Sequence, residues 1–152
     1  MKNTKKAWIA TFLLGGALMI PSLPADAEDA PVGFVKSVSG WAMITHGPIT
    51  SAAIVGSAVY SGDTLETSLF GALGVTFKDN TRVSIGPFTR VSVVNFTFVP
   101  AQRQYGFVLR LLAGTMQYIS GLTAKLAPDA MQIQTPTATV AVRGSRFVVR
   151  AD

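Results

Sequence analysis

The sequence predicts an all-β domain behind a short N-terminal export signal. Two observations predict the fold class. Short runs of alternating apolar and polar residues recur along the chain, about ten residues apart and about nine to eleven in number, which is typical of strands. Turn residues separate them, including five glycines: Gly40, Gly62, Gly86, Gly114 and Gly144. The chain offers no amphipathic helix of useful length, so the class is all-β.

The first 27 residues have the three parts of a secretory signal peptide. Lys2, Lys5 and Lys6 precede the apolar segment 7–20, and Ala25-Asp26-Ala27 has the small-x-small form of a cleavage site. The apolar segment is shorter than the roughly 20 residues that a membrane span needs, although a single anchor is the alternative. We predict cleavage between Ala27 and Glu28, and a periplasmic or secreted domain over 28–152 without a stable membrane span.

Composition limits the classes of function. Hydrophobic residues make up 49% of the 152 residues, which is enough for the core of one domain. The absence of cysteine excludes a disulfide framework, a thiol nucleophile and a cysteine-ligated metal. Without the predicted signal the chain keeps ten Lys/Arg and seven Asp/Glu, a net charge of +3. This mild excess gives no reason to propose nucleic-acid binding.

The strands are predicted in chain order from alternation and turn residues. They are expected near 35–38, 41–45, 54–60, 64–67, 72–78, 82–85, 91–98, 107–112, 115–119 and 131–134. The clearest hairpin spans 72–86, where Lys78-Asp79-Asn80-Thr81 supplies the turn. Apolar parity changes within 91–98, which predicts a bulge or bend. The strand 107–112 is expected to be buried on both faces, and 122–129 to be a loop or one helical turn.

The segment 135–150 reads as a strand, a tight break and a second strand. Val140 and Val142 share one face before the break, and Phe147 and Val149 resume an apolar face after it. Gly144 in the break is expected to take a positive φ, which glycine adopts without steric cost.

Five pieces of the chain, in order, together resemble one family. They are Gly-Phe-Val and Val-Ser-Gly within 33–40, Gly-Asp-Thr-Leu-Glu-Thr at 62–67, the segment 75–89, Leu-Ala-Gly at 112–114, and Thr-Pro-Thr-Ala-Thr-Val-Ala-Val-Arg-Gly-Ser-Arg-Phe at 135–147. The chain from Gly33 onward resembles the FecR family domain, with Gly144-Ser145 where that family usually has Gly-Thr.

The resemblance implies an extracytoplasmic domain of stacked short strands, β-solenoid-like, with a β-sandwich as the alternative from spacing alone. In founding members this domain follows a membrane helix and a cytoplasmic segment that controls a sigma factor, and it senses an outer-membrane transporter. Nothing cytoplasmic precedes the signal here and the chain stops at Asp152. We therefore expect the fold and an interaction role to carry over, without direct control of a sigma factor.

Candidates for catalysis are few. His46 is the only histidine and lies beside Gly47-Pro48, where a solvated turn residue is expected. No serine lies in a nucleophile-elbow sequence. Asp63 and Asp79 are expected to hydrogen-bond within their own turns. We predict no enzyme activity, no metal site and no cofactor.

Arg143, Arg146 and Arg150 form the candidate binding surface. Arginines on one strand face bind carboxylates or anionic glycans through bidentate contacts, but they also protect an edge strand from aggregation. Trp41 and Tyr60 are expected to pack in the core, with sugar stacking as the alternative. The predicted function is that of an exported, non-catalytic interaction or sensing module. Its partner would be another envelope protein, such as an outer-membrane or surface component; the alternative is a glycan- or peptidoglycan-binding protein.

Overall fold

The computed structural model describes residues 29–152, so the predicted signal peptide and its cleavage after Ala27 lie outside the described residues. The all-β prediction is confirmed. The strands are β1 (Gly33–Ser39), β2 (Ala42–His46), β3 (Ile49–Ala52), β4 (Ala58–Val59), β5 (Thr64–Thr67), β6 (Ala72–Phe77), β7 (Arg82–Ile85), β8 (Arg90–Val99), β9 (Gln104–Ile119), β10 (Met131–Gln134), β11 (Thr139–Ala141) and β12 (Arg146–Ala151). One α-helical turn, α1 (Leu122–Leu126), and short 3-10 turns at Pro100–Gln102 and Pro128–Ala130 complete the described chain.

The strands form one continuous curled sheet. Its order is β3-β2-β5-β8-β9-β7-β6-β1-β4, with β10 and β12 also paired to β9 and with β11 paired to β10. Every pairing is antiparallel except that of β10 with β9. The short stacked strands expected from the sequence therefore lie side by side within a single sheet.

The long strand β9 divides the sheet into two halves. Residues 104–113 pair with β8, and residues 107–110 also pair with β10. Residues 116–119 pair with β7, and residues 114–119 with β12. Gly114, at φ +92°, lies where β9 passes from one half to the other. We call the half with β1, β4, β6, β7 and β12 the first half, and the half with β2, β3, β5, β8, β10 and β11 the second half.

The curl encloses one hydrophobic core. Val35 and Val75 of the first half and Leu65 and Val93 of the second half belong to the same buried cluster. The Phe77 ring reaches across to the Phe107 ring, with the centroids 4.7 Å apart. Burial of this apolar surface is the main stabilising term of the fold.

Several local predictions are confirmed. The hairpin of β6 and β7 turns at 78–81, and Asn80 takes φ 65° there, a conformation that asparagine tolerates. The register shift between Val93 and Asn95 is the bulge that the change of parity predicted. The segment 122–129 contains one helical turn.

Other predictions are wrong, and each for a tertiary reason. Strand β9 is not buried on both faces at 107–112, because Arg110 and Leu112 face solvent. Gly144 does not take the positive φ that was expected for it. The strands expected at 107–112 and 115–119 form one strand, β9, and only Ala58–Val59 of the strand expected at 54–60 is observed. Beside Gly144, β11 pairs with β10 and β12 with β9. Among residues 29–152, no helix combines the length and the apolar character required to span a membrane.

Candidate interaction surfaces

Four of the places where the chain crosses between the two halves adjoin along one line, which we call the corner: residues 40–41, 68–71, 86–89 and 113–115. Backbone hydrogen bonds join these four crossings. The Ser68 N–H donates to the Trp41 carbonyl at 3.0 Å, and the Phe88 N–H donates to the Ser68 carbonyl at 3.1 Å. The Gly86 N–H donates to the Thr115 carbonyl at 3.0 Å, and the Thr115 N–H donates to the Thr89 hydroxyl oxygen at 3.0 Å. The corner is therefore a continuous hydrogen-bonded structure and not a set of independent loops.

Two threonine hydroxyls hold the middle of the corner. Thr67 is buried; its hydroxyl donates to the Gly86 carbonyl at 2.6 Å and accepts from the Thr89 N–H at 3.0 Å. The Thr89 hydroxyl donates to the Pro87 carbonyl at 3.0 Å. These bonds satisfy backbone groups that a turning strand would otherwise leave unpaired.

Two glycines allow the crossings to approach this closely. A Cβ atom at Gly40 would collide with the Phe70 carbonyl oxygen, and Gly40 also takes φ +62°. A Cβ atom at Gly71 would collide with the Trp41 carbonyl oxygen. Close backbone approach with positive φ requires glycine, so the corner is rigidly packed.

Large apolar side chains project outward from and beside the corner. We call them the aromatic surface: Trp41, Met43, Leu69, Phe70, Phe88 and Leu112. Trp41 is 75% exposed, Phe70 81% and Phe88 64%. The prediction that Trp41 packs in the core is wrong, because Gly40 turns the chain and leaves that ring on the outside of the corner. A patch of this kind marks an interaction site more often than an accident of folding.

A charged pair lies between two clefts of the aromatic surface. Arg90 Nε and Glu66 Oε1 are 2.7 Å apart, and the pairing of β2, β5, β8 and β9 places Met43, Glu66, Arg90 and Ala113 in one row. A cleft of about 360 Å³ lies on the Phe88 and Leu112 side, and one of about 210 Å³ on the Trp41 and Met43 side. Both clefts are lined by Glu66 and Thr67, so they adjoin.

The three predicted arginines lie at the other end of the domain, on or beside β12. Residues 146–151 alternate between solvent and core, so Arg146 and Arg150 share an exposed face with Val148, as predicted. Val148 is 61% exposed. Among the described strands, β12 pairs only with β9, so no described strand covers its other edge, and the segment 135–137 lies beside its end at Arg150. We call β12 and these side chains the C-terminal edge.

The sheet adds a further arginine that the sequence did not suggest. Arg82 of β7 and Arg146 of β12 both pair with Ile119, from opposite sides of β9. Residues directly opposite in a sheet share a face, so the two arginines flank one exposed row. No sequence pattern links these positions, since only the sheet register brings them together.

Arg143 does not join that row. It lines a cavity of about 500 Å³ with Lys125, Asp129 and Ser145. The structure therefore divides the predicted arginine cluster between a strand face and a neighbouring cavity. Arg150 is partly engaged, because its Nε lies 3.1 Å from Asp152 Oδ1.

The surface is more basic than the net charge suggests. All ten Lys and Arg residues within 29–152 are exposed. Two of the six Asp and Glu residues in the same range, Asp63 and Asp79, are fully buried. Burying acids while exposing bases leaves an excess of positive charge facing solvent, which favours acidic partners.

The only histidine meets a buried carboxylate. His46 Nδ1 lies 2.5 Å from Asp63 Oδ1, although the side chain of His46 is 52% exposed and Asp63 is buried. The Tyr60 N–H donates to Asp63 Oδ2 at 2.8 Å, which confirms the turn role predicted for Asp63. No hydroxyl within residues 29–152 hydrogen-bonds to the His46 ring. The two residues are 17 positions apart, so no local sequence pattern links them.

Asp79 connects two distant segments. Its carboxylate accepts from the Thr81 N–H at 3.0 Å, as predicted for its turn, and also from the Thr123 N–H of α1 at 3.2 Å. Nearby, burial raises the pKa of Tyr118 to about 12, and the Asp79 charge adds to the effect. The Tyr118 hydroxyl lies near Thr81 but makes no hydrogen bond of normal geometry.

Within residues 29–152, no three His, Asp or Glu side chains come together as a metal site would require. Comparison with known proteins gives one match: the family model described as FecR protein covers residues 63–152. This range contains β12, Arg143, the Asp79 turn and most of the corner. No curated protein and no solved structure is significantly similar to the chain.

Proposed function

The chain belongs to the FecR family, a regulatory and signalling family, and on that premise we propose that it is an exported, non-catalytic module that binds another protein of the bacterial cell envelope. The C-terminal edge supports this proposal most directly. Its six-residue strand is open on one side, and its exposed face carries Arg146, Val148 and Arg150. An open edge offers unpaired backbone groups to an extended segment of a partner.

The chemistry of this edge favours an acidic partner strand. Two arginines separated by one exposed valine would contact acidic side chains on either side of an apolar one. Arginine forms bidentate contacts with carboxylates, which fix orientation as well as affinity. Arg82 extends the row across β9, so a partner on this face would meet a third guanidinium group.

Charge reversal tests the proposal. A tagged wild-type chain and an Arg146→Glu/Arg150→Glu variant would be used to capture proteins from envelope extracts. We expect the wild type to recover a specific protein at low salt, and the double variant to lose it, because repulsion replaces two attractive contacts. Arg103→Glu, an exposed charge at the turn between β8 and β9, is the matched control and should retain the protein.

The same variants separate a protein partner from an anionic glycan. The cavity lined by Lys125, Arg143 and Asp129 favours the anionic glycan alternative, because its two cations outnumber its one carboxylate. Sedimentation with purified cell-wall material would detect that activity. Recovery of no specific protein, together with cell-wall binding that Lys125→Glu/Arg143→Glu or Arg146→Glu/Arg150→Glu abolishes, would replace the proposed protein-binding role with a glycan-binding one.

A further inference from the structure

We infer that the aromatic surface at the corner binds an uncharged carbohydrate chain, with its pyranose rings stacked on Trp41 and Phe88. This inference goes beyond the proposed function, because it concerns another surface and another class of ligand. It depends on residues of the second half and the corner, whereas the proposed protein contact depends on β12.

Phe88 carries the argument that this surface is functional. It takes φ +47°, a left-handed conformation that is a genuine outlier for a bulky residue. Its side chain nevertheless points into solvent and is 64% exposed, so the strain gains no core packing. The hydrogen bond from the Phe88 N–H to the Ser68 carbonyl holds this backbone in place, and strained residues held in this way by their surroundings cluster at active sites and ligand clamps.

The backbone that carries the neighbouring rings is preorganised. Trp41 and Phe70 lie on backbone segments that pack too closely for any side chain at Gly40 or Gly71. The ring-bearing segments are therefore fixed before any ligand arrives. A backbone that is already fixed loses less conformational freedom on binding, which strengthens binding to a flexible chain.

The polar groups select the chemical class. A sugar ring presents an apolar C–H face together with a rim of hydroxyl groups. The two clefts offer groups of both kinds: the Trp41 and Phe88 rings for the C–H face, and the Glu66–Arg90 pair between them for the hydroxyl groups. Glu66 can accept hydrogen bonds from hydroxyl groups and Arg90 can donate to them. Because these two charges already neutralise each other, the site favours an uncharged saccharide over an acidic one.

The Glu66–Arg90 pair also argues against this surface being the centre of a protein–protein interface. The centres of protein interfaces are depleted in Glu, Asp and Lys, because such groups must be desolvated there. Glu66 and Arg90 occupy the middle of the row between the two clefts. A hydroxylated ligand keeps this pair hydrogen-bonded and partly hydrated, so its desolvation cost is smaller.

Titration with defined oligosaccharides tests the inference. The purified protein, as the cell produces it, would be titrated with cellohexaose, chitohexaose and laminarihexaose by calorimetry and by tryptophan fluorescence. We expect at least one hexasaccharide to bind with a Kd below about 1 mM. We expect Trp41→Ala and Phe88→Asn to raise that Kd about tenfold or more, because each removes one stacking face.

Phe88→Asn also separates binding from folding. Asparagine tolerates the left-handed conformation, so the urea midpoint should stay constant or rise while sugar binding falls. Val148→Ala, which trims an exposed apolar side chain of the C-terminal edge, should leave the Kd unchanged. Sugar binding should also persist at about 0.5 M salt, since stacking is not screened as charge attraction is.

Three outcomes would overturn the inference. The first is failure of all three hexasaccharides to bind at a concentration of about 10 mM, ten times the stated Kd limit. The second is binding that survives in both Trp41→Ala and Phe88→Asn. The third is concentration-dependent self-association that these variants abolish in the absence of sugar, which would assign the surface to a second copy of the chain. None of these outcomes bears on protein capture by β12, so the two proposals fail independently.

Discussion

The corner and the C-terminal edge hold exposed side chains in place by different means. At the corner, four chain segments are cross-linked by backbone and threonine hydrogen bonds, and glycines allow backbone contact. At the C-terminal edge, β12 is held by β9 on one side only. The first region presents aromatic rings around a neutralised ion pair, and the second presents arginines. Rigid aromatic faces suit a neutral ligand, whereas an open basic strand suits an acidic chain that completes the sheet.

The largest expected difference between the two regions is in the free energy of unfolding after alanine substitution of one glycine in each, Gly40 and Gly144. We expect Gly40→Ala to lower the free energy of unfolding by about 3 kcal/mol or more, because it combines a positive φ with a backbone collision. Gly144→Ala should change it by less than about 1 kcal/mol, in the stabilising direction, since φ is not positive and the nearest atom to the added Cβ is 3.9 Å away.

Urea denaturation followed by circular dichroism would measure both variants. Equal losses would show that the corner is no more tightly constrained than the C-terminal edge, and would weaken the view that its rings are preorganised.

Alkaline pH should lower the stability of the domain through Tyr118, which lies in β9 next to β12. Tyr118 pairs with Phe147 of β12, and their rings stack with centroids 4.9 Å apart. Its folded-state pKa of about 12 exceeds the unfolded value of about 10. The unfolded chain therefore releases its proton first, and the stabilising contribution of neutral Tyr118 is full below pH 10 and lost as the pH rises towards 12. The expected loss is on the order of 2 to 3 kcal/mol.

Urea midpoints between pH 9 and pH 11.5 would follow this loss, with Tyr118→Phe as the control. The variant should show a flatter pH dependence in this range and little change in stability at pH 7, because the hydroxyl makes no hydrogen bond of normal geometry. An unchanged alkaline profile in Tyr118→Phe would assign the loss to other groups.

The smallest effect is expected at the tip of the C-terminal edge. The pair of Arg150 and Asp152 is highly exposed on both sides. We expect Asp152→Asn to change the thermal midpoint by no more than about 1 °C, because an exposed ion pair contributes little to stability. The same variant frees Arg150, and should therefore strengthen capture of an acidic partner while leaving sugar titrations unchanged.

Much of the fold follows from local sequence. The hairpin at 72–86 was predictable because its alternation and its Asp-Asn turn agree. The bulge in β8 was predictable because apolar residues that change parity within one strand can stay on the buried face only if the strand bulges or bends. The face shared by Arg146, Val148 and Arg150 was predictable because side chains alternate along a strand.

The candidate sites were less accessible to sequence reasoning. His46 and Asp63 are 17 residues apart, and Arg82 and Arg146 meet only through Ile119. The outward position of Trp41 depends on Gly40 approaching Phe70 across the corner. Such contacts arise from the closing of the sheet, so no local period encodes them. A cue existed for Phe88, because a large apolar residue directly after Gly86-Pro87 lies in a turn and not in a strand.

The sequence by itself determined that the chain is all-β, where β5, β7 and β10 begin and end, and which residues of β12 face outward. These properties depend on alternation and turn chemistry within a few residues. The tertiary structure alone decided that β11 and β12 pair with different strands, that two aspartates are buried while all ten bases within 29–152 stay exposed, and that aromatic rings flank Glu66 and Arg90. The physical reason is that hydrogen-bond partners and burial are set by segments far apart in the chain, which meet only when the sheet curls around its core.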